Sequence, residues 1–132
     1  MAPKRSLAEK LGLKEGFKIT IINPPGNYDT TLGELPKNIS ISGENGSFDL
    51  IQFFTRGRKE LEDRFPELMR RLSENGMLWI SWPKGSPKDV VGLNEDIVRD
   101  IGLKHGLVDV KVIAVDNIWS GLKFVHRRSQ GP

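Results

Sequence analysis

Three short runs of this chain, Phe17-Lys18-Ile19-Thr20-Ile21-Ile22, Phe48-Asp49-Leu50-Ile51-Gln52-Phe53-Phe54 and Met77-Leu78-Trp79-Ile80-Ser81-Trp82, are apolar at most positions rather than at every second one. Strict alternation marks a strand with one wet face. Short runs without it, bounded by turn signals, read as strands covered on both sides, the environment of a mainly parallel sheet between helical layers. Turn-forming residues bound each run: Gly16 and Asn23-Pro24-Pro25-Gly26 around the first, Gly46-Ser47 before the second, Asn75-Gly76 and Pro83 around the third. A chain of 132 residues has enough material for one such core.

The remaining segments supply the covering. Ser6-Leu7-Ala8-Glu9 fits a capping box and predicts a short helix to about Leu13. Asn38-Ile39-Ser40-Ile41-Ser42 alternates, predicting a strand near a sheet edge. From Arg58 to Ser73, Leu61, Phe65, Leu68, Met69 and Leu72 recur at helical spacing, with Pro66 expected to kink the helix or restart it and Asn75-Gly76 expected as its left-handed C-cap. Residues 84–92 read as a loop. Asn94 can cap the next helix, with Leu93 and Val98 as its hydrophobic staple, Glu95 and Asp96 at its positive end, Lys104 and His105 at its negative end, and Gly106 closing it. Val108 to Val115 places Val108, Val110, Val112 and Ala114 on one face, expected to be firmly buried, against Asp109, Lys111 and Ile113. A turn around Asn117 leads into Leu122–Arg127, so the last two strands should form an antiparallel hairpin. Residues 1–5 and 128–132 read as flexible ends of a single domain spanning 1–132, without repeat or linker.

Composition removes several function classes. With no cysteine there is no disulfide, thiolate nucleophile or cysteine-ligated zinc. No run approaches the ~18 apolar residues of a membrane span, and the basic tip Lys4-Arg5 has no apolar segment behind it, so a cytoplasmic address is the expectation. A net charge of +3, from 20 Lys and Arg against 17 Asp and Glu, is too small an excess to imply a nucleic-acid partner. Part of it sits at the ends, in Lys4, Arg5 and His126-Arg127-Arg128, as a solubilising charge. Neither His105 nor His126 has a sequence-near metal partner, and neither a Gly-x-Ser-x-Gly elbow nor a Walker loop is present. No metal and no catalytic residue is therefore expected, and homo-oligomerisation stays open.

Strand, helix, strand, helix and an antiparallel closing pair define a Rossmann-like α/β domain, a mainly parallel sheet with helices on both faces and an antiparallel C-terminal hairpin. Gly46-Ser47-Phe48-Asp49-Leu50-Ile51, a helix, Glu74-Asn75-Gly76-Met77-Leu78-Trp79-Ile80, a second helix and the hairpin resemble the carboxyl half of class I methyltransferases, in which a reversed last strand inserts into the sheet. The chain as a whole is similar to a small bacterial family of uncharacterised proteins, a domain of unknown function. That likeness runs through Lys10-Leu11-Gly12-Leu13-Lys14-Glu15-Gly16-Phe17, Gly33-Glu34-Leu35-Pro36, Trp79-Ile80-Ser81-Trp82-Pro83-Lys84, Gly106-Leu107-Val108-Asp109-Val110-Lys111-Val112, and Asp116 to Trp119-Ser120-Gly121-Leu122-Lys123. It brings no activity with it.

Binders of dinucleotides and S-adenosylmethionine end the first strand in a glycine-rich turn, where backbone amides approach the ligand closely. Here the turn reads Asn23-Pro24-Pro25-Gly26-Asn27-Tyr28, and its two prolines carry no amide hydrogen. No cofactor is expected on this ground. Glu44, after the second strand, could mimic the acid that grips a ribose but reads better as a solvated turn residue. Ligands of open α/β sheets bind beyond the carboxyl ends of the strands. That rule selects Asn23 and Tyr28, Thr55 and Arg56, Ser81, Trp82 and Lys84, and then Asp116, Trp119 and Ser120 as candidate residues for a small anionic or aromatic ligand. Packing is the competing role for Trp79, Trp82 and Trp119. The expected function is a non-catalytic module binding a small molecule or partner on a degenerate methyltransferase-like fold. The alternative is a divergent S-adenosylmethionine-dependent methyltransferase or other small-molecule transferase, and a weaker one is nucleic-acid binding through the basic ends.

Overall fold

The computed structural model describes residues 6–43, 46–84 and 93–127. In it the three apolar runs become β1 (Lys18–Ile22), β3 (Phe48–Phe54) and β4 (Leu72–Pro83), neighbours in one parallel block with Ile19 level with Leu50 and Leu50 level with Met77. Because these strands are apolar on both sides, the sheet needs cover on both faces. α1 (Leu7–Leu11) and α2 (Tyr28–Leu32) lie on one face; α3 (Arg58–Arg70) and α4 (Glu95–Lys104) lie on the other. The sheet is completed by β2 (Ser40–Ile41), β5 (Leu107–Ala114) and β6 (Trp119–His126), in the order β2-β1-β3-β4-β6-β5. β6 runs antiparallel between β4 and β5, so the reversed last strand does insert into the sheet.

Two cores result. On the α3/α4 face, Phe53, Leu61, Phe65, Ile80, Val98, Leu122 and Phe124 pack together; on the α1/α2 face, Leu11, Ile19, Tyr28, Phe54, Trp79 and Trp119 do so. Ser6 caps α1 by accepting from the Glu9 amide at 3.2 Å, and Asn94 caps α4 by accepting from the Ile97 amide at 2.9 Å. Arg99 ties α4 to the sheet edge, binding Glu95 at 2.6 Å and Asp109 at 2.9 Å.

Several local expectations are corrected. No second helix begins at Pro66: α3 runs on through it, and the proline sits on the solvent side, where water can serve the carbonyl that the missing amide leaves free. It is capped at Arg71, and Asn75-Gly76 lies inside β4 beside a register shift. Gly76 is needed there for proximity, since a Cβ would stand 2.9 Å from the Phe48 carbonyl oxygen. α2 was not foreseen, because five residues are too few to show a helical period. β6 begins at Trp119 rather than Leu122. The valine face of β5 is not buried: Val110 is 50% and Val112 39% exposed. β5 is the sheet edge, and an irregularity between Asp109 and Lys111 breaks the alternation on which that expectation rested. The proposed flexible ends and Glu44 lie outside the described residues.

Gly102, inside α4, faces Phe124 so closely that a Cβ would stand 2.0 Å from the ring. Helix propensity alone would favour alanine by about 1 kcal/mol. Overpacking a core in which Phe124 is fully buried costs roughly 1–3 kcal/mol, so the collision wins. Gly102→Ala should lower the urea midpoint; a higher midpoint would contradict this packing.

Candidate functional site

The sheet order reverses between β1 and β3: from β1 the chain proceeds to β2 on one side, and from β3 to β4 on the other. Loops leaving the two strands therefore diverge and leave a crevice beyond their carboxyl ends. Asn23, Pro24, Pro25, Phe54, Arg56, Glu60 and Trp119 line it, around a volume of about 290 Å³. That is near the lower limit for drug-sized ligands, roughly 300 Å³.

The β1 side of the cleft is poor in donors. Asn23 takes a left-handed backbone conformation, φ 58°, which asparagine tolerates better than most residues, and two prolines follow. Asn27 repeats that conformation at the start of α2 and makes no side-chain capping bond. α2 has only five residues, too short to build the aligned dipoles and free amides that a phosphate finds at a long helix start.

The opposite wall is aromatic and cationic. Phe54 meets Tyr28 edge-on at 4.9 Å and Trp119 edge-on at 5.1 Å, and the Arg56 guanidinium lies 4.8 Å from the centre of the Trp119 ring. Asp116 fixes the turn carrying Trp119 by accepting the amides of Ile118 and Trp119, both at 2.7 Å. Arg56 is exposed and has no ion pair among the described residues. Glu60 is engaged: its carboxylate accepts the Thr55 hydroxyl at 2.6 Å.

Behind Phe54 runs a buried polar chain. The Tyr28 hydroxyl donates to Gln52 Oε1, and Gln52 Nε2 donates to Ser81 Oγ at 3.3 Å. Burial pushes the Tyr28 phenol well above its ordinary pKa; the Gln52 bond opposes the shift and the Asp116 charge adds to it. The phenol is thus held protonated, as a donor. His105 stacks on Phe65 and His126 contacts the Leu72 carbonyl, both away from the cleft. Among the described residues no group of His, Asp and Glu is placed to hold a metal ion.

Of the residues selected from sequence, the structure brings Asn23, Arg56 and Trp119 together at the cleft surface. Tyr28 and Ser81 lie buried beneath it, and Thr55 and Asp116 brace its loops. Trp82 packs into the α3/α4 core, and Ser120, its register partner on β6, shares that opposite face. Lys84 is exposed and contributes its backbone amide to the Ile118 carbonyl at 2.8 Å. Phe54, Glu60 and Gln52 were missed. Gln52 had a signal, since a polar side chain in a strand buried on both faces requires a buried partner.

This architecture is shared with known proteins. The chain is 19% identical to a SAM-dependent methyltransferase from Aquifex aeolicus, over 88% of this chain and 85% of that one, with a TM-score of 0.60. It is 16% identical to a putative type 11 methyltransferase from Sulfolobus solfataricus, over 87% of each chain, with a TM-score of 0.59. With a TehB-like SAM-dependent methyltransferase from Corynebacterium glutamicum the identity is 13%, over 92% of this chain and 85% of that one, with a TM-score of 0.55. No family model matches the sequence, and no curated protein matches it. The chain has the methyltransferase-like Rossmann fold. Among the described residues no helix is long and apolar enough to cross a membrane.

Proposed function

We propose that the chain is a small-molecule-binding domain, not a catalyst, that takes an anionic ligand with a planar body in the cleft between β1 and β3. One observation carries this reading: Arg56 stands at the cleft mouth without an ion pair among the described residues, stacked on Trp119. A guanidinium so placed offers charge-assisted hydrogen bonds to a carboxylate or phosphate while the aromatic wall takes a ring. The groups that could move a proton are otherwise committed: Glu60 to Thr55, Asp116 to two amides, Tyr28 to Gln52. A thermal-shift panel of aromatic carboxylates and phosphates tests the proposal. At about 100 times its Kd a ligand adds ~2.7 kcal/mol of stability, and Arg56→Ala should remove that gain. Stabilisation that survives the substitution would count against it.

The solved structures favour a second reading, methyl transfer from S-adenosylmethionine, on the ground of fold alone. The β1 exit, with two prolines in succession and the five-residue α2 behind it, supplies few of the amides such a ligand would use. Calorimetry with S-adenosylmethionine separates the two: heat at about 1 mM ligand supports the second reading, and none supports the first.

A further inference from the structure

The opposite end of the sheet holds a second recess. Gly12, Lys14, Phe17, Asp49, Met77, Lys123 and their neighbours Asn75 and Val125 surround a groove of about 410 Å³ near the amino ends of β3 and β4. Its floor is mainly apolar, from Phe17, Met77 and Val125. Its rim is cationic. Lys14, in the loop after α1, and Lys123, on β6, line it; Lys111 on β5, outside the lining, is the register partner of Lys123, so those two project from the same face. Like charges directly opposite on neighbouring strands destabilise a sheet. None of these lysines has an ion pair among the described residues, and the Asp49 carboxylate on the groove wall accepts the Lys18 amide at 2.8 Å.

We propose that this groove is a binding site for a small amphiphilic anion, its apolar body on Phe17, Met77 and Val125 and its phosphate, sulfate or carboxylate head at Lys14 and Lys123, with the charge of Lys111 beside Lys123 adding to the attraction. Charge complementarity selects that occupant. An apolar ligand would leave Lys14 and Lys123 without a counter-charge, and a bare inorganic anion would leave the floor wet. Burial, then the charges of Lys111 and Lys14, hold the Lys123 ammonium below its ordinary pKa, as expected where a counter-ion is missing. The site lies at the end of the sheet away from the β1/β3 cleft and is independent of what that cleft binds.

The test uses octyl phosphate, inorganic phosphate and octyl glucoside in calorimetric titrations of the full chain. Octyl phosphate should bind more tightly than either of the others, shifting the backbone amide resonances of Lys123 and Val125. Lys123→Met should weaken it about tenfold or more, the worth of one charged hydrogen bond. The same variant should melt no lower than wild type, since it removes a repulsion. Lys14→Met, in a loop, gives the same reading if Lys123→Met does not fold. Equal binding of the three probes, or octyl phosphate affinity unchanged in these variants, would overturn the proposal.

Discussion

Trp79→Ala should lower the unfolding free energy by roughly 3–5 kcal/mol. Trp79 is fully buried near the middle of β4, paired with Gln52 on β3 and Lys123 on β6. Its ring packs under α1, and its indole N–H donates to the Leu11 carbonyl at 2.9 Å, at the point where the chain leaves that helix through left-handed Gly12. On the other flank Gly121 makes room for it: a Cβ there would stand 3.3 Å from the indole. Truncation removes the largest fully buried side chain among the described residues, opens a void between α1 and the sheet, and leaves the Leu11 carbonyl without that donor. Trp79→Phe keeps most of the volume and forfeits the hydrogen bond, so its cost should be smaller, about 1–3 kcal/mol. Urea unfolding of both variants checks the order. Equal losses, or a loss under about 1 kcal/mol for alanine, would show that α1 is not anchored this way.

The second large effect is optical. Tyr28 is the single tyrosine of the sequence, so phenolate absorbance reports one group. Because burial raises its pKa in the fold, no phenolate should form in the native protein near pH 11, where an ordinary tyrosine with pKa ≈ 10 is mostly ionised. The sign for stability follows from linkage. The contribution is fully present below the pKa of the unfolded chain; above it only the unfolded state releases the proton, so stability falls as pH rises from about 10. Phenolate should then appear together with loss of the fold, and Tyr28→Phe should remove this part of the alkaline slope. A smooth titration centred near pH 10 with the fold intact would contradict the buried Tyr28–Gln52–Ser81 chain.

Long apolar segments carried most of the fold in legible form. The runs around Ile19, Leu50 and Leu78 had to be covered on both faces, and the caps at Ser6 and Asn94 marked two helix starts. What failed was local and depended on tertiary context. Val110 and Val112 alternate as if half-buried, but nothing in their own segment shows that β5 would be the sheet edge or that its register would slip beside Asp109. Asn75-Gly76 has the chemistry of a helix end, yet it serves a close approach to Phe48 inside β4. The cleft was legible as a place before it was legible as residues. A rule about strand ends reached Asn23, Arg56 and Trp119, whereas Trp82 and Ser120 also sit near strand ends but point to the other face, a distinction decided by register.

On the proposed reading, a strand exit made of Asn23, Pro24 and Pro25, leading into the five-residue α2, leaves a nucleoside uncradled even though the fold is methyltransferase-like. A crystal structure of the protein grown with S-adenosylhomocysteine tests it directly. The cleft should hold no ordered adenosine; a nucleoside seated against Pro24 and Pro25 would contradict the claim and make methyl transfer the better reading.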